Sequence, residues 1–80
     1  MKAYVLLNTK PGTSEEVMKS LRERLTKTVV SGDSVFGSFD VILMIEAKDL
    51  QEFGDLMYQV IEKNPNIIRT ETCVVLPSGE

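Results

Sequence analysis

Eighty residues make one small domain, with 42% hydrophobic side chains, a net charge of -3 from 12 acidic and 9 basic residues, one cysteine and no histidine. A domain of this size buries only about 60 to 65% of the surface of its unfolded chain, and here it has neither a disulfide framework nor an imidazole metal cage to add stability, so assembly with further copies is expected. The bases form no Lys/Arg block that would follow a phosphate backbone, which argues against direct nucleic-acid binding. The opening "MKAYVLLNTK" carries too short an apolar stretch for a secretory core, and no run approaches the roughly 20 apolar residues of a membrane span; the expectation is one cytoplasmic domain over residues 1–80.

Residues 3–9, "AYVLLNT", are β-prone and stop at a Pro-Gly turn signal, predicting a first strand. "TSEEVMKSLRERLTK" follows, with Thr13 and Glu16 spaced as a capping box and Val17, Leu21 and Leu25 recurring every four residues, the pattern of an amphipathic helix. Residues 28–36 mix β-branched side chains with Gly32 and Asp33, predicting a bulged or irregular strand. After the Gly37-Ser38 turn, "FDVILMIEA" is the strongest strand of the chain and, through so short a connection, the antiparallel partner of the one before it.

A second helix is expected from Asp49 as N-cap, with Glu52 three residues on and Leu50, Phe53, Met57, Val60 and Ile61 on one face. Gly54 within it costs about 1 kcal/mol against alanine, so it is expected to mark a close approach to the sheet or to another helix. Residues 67–76 form the last strand, in which Cys73 is expected to be a small buried hydrophobe, and "PSGE" is a terminal tail. The order is βαββαβ, the α+β ferredoxin-like arrangement of four antiparallel strands with both helices on one face.

The other face of such a sheet should be polar, yet here it has an apolar middle. Ile42 and Met44 alternate with Val41, Leu43 and Ile45, and Tyr4 and Leu6 with Val5 and Leu7. Leaving four or five aliphatic side chains in water forfeits several kcal/mol at about 25 cal/mol per Å². A second copy, sheet against sheet about a two-fold axis, is the simplest cover.

Without histidine, and with one cysteine, no Ser-His, Cys-His or CxxC arrangement can form, and no phosphate-cradling glycine motif is present. No catalytic residue, metal ligand or cofactor is therefore assigned. The stretch that carries chemistry is "GSFD". Gly37 gives a turn at which a ligand can approach backbone N–H groups able to hold a carboxylate, and Asp40 can accept hydrogen bonds from an ammonium group, together the needs of a zwitterion. The competing reading is that Gly37 only makes the hairpin and Asp40 only caps the turn or solvates the strand end. Thr70 and Thr72 share one side of the last strand, where their hydroxyls either reach a small polar ligand or serve β-propensity.

"GSFD" before the aliphatic strand "VILMIEA", the helix opening "KDLQEF", and the closing "RTETCVVL" with its Thr-x-Thr resemble, in order and spacing, the effector-binding (RAM) domain of the Lrp/AsnC transcription regulators. "AYVLLNTKPGTSEEV" fits the family's first strand and helix start, so the resemblance spans essentially the whole chain. It implies a dimer of facing sheets, rings of dimers, and an amino-acid effector near the Gly-x-aromatic-Asp loop. Carried over by position, the ligand-binding residues are Gly37, Ser38, Phe39, Asp40, Thr70 and Thr72; Phe39 stands where the family frequently has tyrosine, so a phenolic contact is missing.

With its first strand beginning at residue 3, the chain is expected to be a stand-alone effector domain without the family's DNA-binding domain. It is expected to be non-catalytic, to sense a small amino acid at an oligomer interface, and to act alone or on a related DNA-binding regulator. The alternatives are a small enzyme of the ferredoxin-like dimeric α/β-barrel type and a purely structural oligomerisation partner.

Overall fold

The computed structural model describes residues 1–24 and 29–77, with Val29, Val30 and Val60 described as backbone. Its elements are β1 (Lys2–Thr9), α1 (Ser14–Arg24), β2 (Val29–Ser34), β3 (Val41–Glu46), α2 (Leu50–Leu56) and β4 (Ile67–Val74). The last turns of α2 continue as a π-helical segment, Met57–Ile61. The four strands form one antiparallel sheet in the order β2-β3-β1-β4, the ferredoxin-like topology expected from the sequence.

Local chemistry explains most of the boundaries. At the Pro11-Gly12 turn Gly12 takes φ +79, open to glycine at little cost, and both the N–H and the hydroxyl of Thr13 donate to the Lys10 carbonyl, at 3.1 and 2.7 Å. The Thr13 hydroxyl thus closes the turn rather than forming the expected capping box with Glu16. Helix α1 starts at Ser14 with Glu15 and Glu16 in its first turn and Arg22 and Arg24 in its last, each sign placed to favour the helix dipole. Leu25, expected on its buried face, lies outside the described residues. At α2 the sequence signal holds: Asp49 Oδ1 accepts the Glu52 N–H at 2.9 Å, and Glu52 Oε1 accepts the Lys48 N–H at 2.7 Å.

The core lies between the helices and the two central strands. Ala3, Val5 and Leu7 of β1 and Val41, Leu43 and Ile45 of β3 meet Val17, Met18 and Leu21 of α1 and Phe53, Met57 and Ile61 of the second helix. Leu50, on the opening turn of α2, is 68% exposed, so the buried stripe begins one turn later than expected. Gly54 is exposed, and a Cβ built there meets nothing within 4 Å, so it marks no close approach. Gly32 has that role instead: its Cβ would stand 2.8 Å from Leu43 Cδ2 and 3.0 Å from Met18 Cε. The irregularity expected in β2 is a register shift between Val29 and Ser31 against β3.

Pairing partners project to the same face of a sheet. Thr70, Thr72 and Val74 sit opposite Leu7, Val5 and Ala3, on the helix side, yet all three are exposed, because the helices cover the two central strands and leave β4 bare. On the other face Leu6, Ile42 and Met44 are half-buried and Tyr4 is 40% exposed. Cys73, paired with Tyr4 on that same face, is exposed, which corrects the expectation of burial: its edge strand has no layer over it on this side.

Candidate functional site

The hairpin between β2 and β3 delivers residues 36–40 to one end of β1. The Val35 N–H donates to the Asp40 carbonyl at 2.8 Å and closes the loop. The Asp40 N–H in turn donates to the Leu7 carbonyl at 2.8 Å, and Asp40 Oδ2 accepts the Thr9 N–H at 2.8 Å. Asn8 Nδ2 donates to the Ser38 carbonyl at 3.0 Å, and the Arg69 guanidinium lies 5.4 Å from the centroid of the Phe39 ring. The loop is therefore fixed to β1 through the backbone and side chain of Asp40 and through Asn8, while β4 reaches it with one cation.

Asp40 explains itself physically. Past Leu7 the ladder between β1 and β3 ends, and the carboxylate supplies the acceptor that the Thr9 N–H would otherwise lack next to a buried residue. Its Oδ2 thus ties the loop to β1 rather than capping the hairpin's own turn. Gly37 is exposed, has no positive φ, and would carry a side chain into open space. Its backbone is therefore approachable from solvent. Phe36 beside it is 107% exposed, a fully presented apolar ring, and Phe39 is half-buried beneath Arg69.

Thr70 and Thr72 are placed across β1 from this loop. Thr70 is opposite Leu7, whose carbonyl takes the Asp40 N–H, so two strand spacings of about 5 Å each separate the threonine strand from the start of β3. Within one chain the loop residues cluster, and the threonines stand apart from them on the exposed helix side of β4. Asn8 and Arg69 are neighbours of the loop that sequence reading alone did not single out. Their partnership depends on the β1-β4 register, which pairs them with each other, and no local motif encodes it.

A concavity of about 430 Å³ runs between α1 and β2, away from this loop, with Met18 on its wall and Arg22 Nη2 donating to the Gly32 carbonyl at 3.1 Å. Lys19 and Arg22 alternate there with Glu15, Glu23 and Asp33, all exposed, a solvated rim of both signs. Among the described residues no group of three or more His, Cys, Asp or Glu side chains converges as a metal site. No described helix is long and apolar enough to cross a membrane.

The fold is shared with known structures. The crystal structure of FFRP-DM1 superposes with a TM-score of 0.87 at 28% identity, covering 94% of this chain and 97% of that one. A transcriptional regulator of Neisseria meningitidis in complex with L-Met matches with a TM-score of 0.76 at 14% identity, covering 99% of this chain and 51% of the regulator. A 5-chloro-2-hydroxyhydroquinone dehydrochlorinase of Burkholderia phenoliruptrix AC1100 matches with a TM-score of 0.65 at 14% identity, covering 95% and 94%. At 14% identity the last two likenesses speak to fold alone. Among curated proteins none matches the chain in sequence. The model of the Lrp/AsnC ligand binding domain matches residues 2–78, and the chain belongs to that family.

Proposed function

We propose that this chain is a non-catalytic regulatory module of the cytoplasm that binds a small amino acid beside the Gly37–Asp40 loop, at an interface between copies. One observation carries the reading: Asp40 anchors the loop with Oδ2, and no described partner engages Oδ1, an acceptor suited to an ammonium group next to the accessible backbone of Gly37 and Ser38. Phe39, Thr70 and Thr72 complete the proposed site. Because the threonines stand on an exposed face away from the loop, the proposed pocket takes the loop from one copy and the threonines from another, in a ring of sheet-to-sheet dimers. A ligand bridging copies favours assembly by as much as it prefers the assembled state. The same surface offers a place for co-assembly with a related DNA-binding regulator.

The test is thermal unfolding against the twenty amino acids for wild type and Asp40→Asn. Asparagine retains an oxygen for the Thr9 N–H but carries no charge for an ammonium group, so it separates the loop anchor from the ligand contact. The expected outcome is a saturable rise in melting temperature for one or a few amino acids, lost in Asp40→Asn although the unliganded melting point stays close to wild type. A flat response at millimolar amino acid would reject the reading. The dehydrochlorinase likeness supplies the second reading, an enzyme on the same fold, which turnover of a small aromatic substrate would favour.

A further inference from the structure

We infer that Arg69 is the carboxylate anchor of this site, an inference that rests on the amino-acid-binding reading above. Arg69 lies on β4 opposite Asn8 of β1, and Asn8 holds the loop through the Ser38 carbonyl at 3.0 Å. From there its guanidinium sits over the Phe39 ring at 5.4 Å. A guanidinium over an aromatic face keeps its charge and its donors, and its planar fork matches a carboxylate.

That fork is only lightly committed. Among the described residues its one ion pair is a single contact from Nη2 to Glu71 Oε1 at 3.3 Å, between side chains 63% and 52% exposed. Exposed pairs of this kind are weak and exchange readily, so an incoming carboxylate can replace Glu71 where a buried partner would resist. Bonds to a carboxylate from a guanidinium or from backbone N–H are both charge-assisted, but the guanidinium adds a full positive charge and two parallel donors. Arg69 therefore adds a full positive charge to the carboxylate recognition proposed for the loop N–H groups. It also completes the charge pattern of the site: Asp40 in the loop for the ammonium, and Arg69 above the same loop for the carboxylate.

The experiment compares the twenty L-amino acids with their C-terminal amides by calorimetric titration on wild type, Arg69→Gln and Arg69→Lys. The amides keep the ammonium group and lack the carboxylate. Wild type is expected to prefer the acid over its amide at least tenfold. In Arg69→Gln this preference should collapse toward one through loss of acid affinity, with amide affinity unchanged, and Arg69→Lys should restore part of it. If Arg69→Gln binds the acid as tightly as wild type, or loses acid and amide equally, the assignment of Arg69 is overturned and the amino-acid reading stands. If wild type binds neither acids nor amides, both are overturned together.

Discussion

Two glycines test the packing in opposite directions. At Gly32 a methyl group would meet Leu43 Cδ2 at 2.8 Å and Met18 Cε at 3.0 Å, where β2 passes beneath α1 against β3. Gly32→Ala is expected to destabilise the fold by about 1 kcal/mol, the low end of overpacking costs, because the atoms it meets are the movable ends of Leu43 and Met18 beside the concavity. Gly54 sits in the exposed part of α2 with nothing within 4 Å of a Cβ. Gly54→Ala is expected to stabilise by about 1 kcal/mol through helix propensity alone. Urea unfolding of the two variants against wild type measures both, and the same sign for both would contradict the packing described here. Neither role is legible in the sequence, because a glycine's neighbours in space are set by the sheet register; the sequence pointed to Gly54, and the close approach is at Gly32.

At the scale of elements, the local signals were readable where a short stretch decides the outcome and unreadable where a distant partner does. Asp49 and Glu52 lie within one turn and form the cap that their spacing predicts. Asp49→Ala is expected to cost about 1 kcal/mol, as N-cap removals do; the midpoint of urea unfolding should fall while its slope is unchanged. Thr13 shows the limit: the same spacing precedes α1, but the turn at Gly12 offers the Lys10 carbonyl to the Thr13 hydroxyl. The site follows the same division. "GSFD" is a local motif, and the structure holds its residues together in one loop tied to β1. Asn8 and Arg69 join it only through the β1-β4 pairing; the threonines of β4 are exposed because neither helix extends over that strand, and Cys73 because it projects to the open face.

For the whole molecule, the open face of the sheet sets the expectation. Leu6 pairs with Ile42 and Tyr4 with Met44 and Cys73, a contiguous apolar centre flanked by Glu46, Arg69 and Glu71. An antiparallel sheet left in water alternates apolar with polar, and this face does not. A monomer would keep that centre in water, whereas a two-fold pairing of sheets withdraws it in both copies at about 25 cal/mol per Å². The face can be tested without disturbing the core: Ile42 and Met44 are half-buried and point away from the helices, so Ile42→Asp and Met44→Glu leave the packed layer intact. Sedimentation equilibrium should give wild type as an even multiple of the chain and both variants as monomers with unchanged circular dichroism. In the assembled state either carboxylate would be buried against its own symmetry mate's apolar surface without a partner, a penalty of several kcal/mol per ion that the interface cannot offset. A monomeric wild type would remove the dimer from the proposed assembly, and with it the ring in which the loop of one copy meets the threonines of the next.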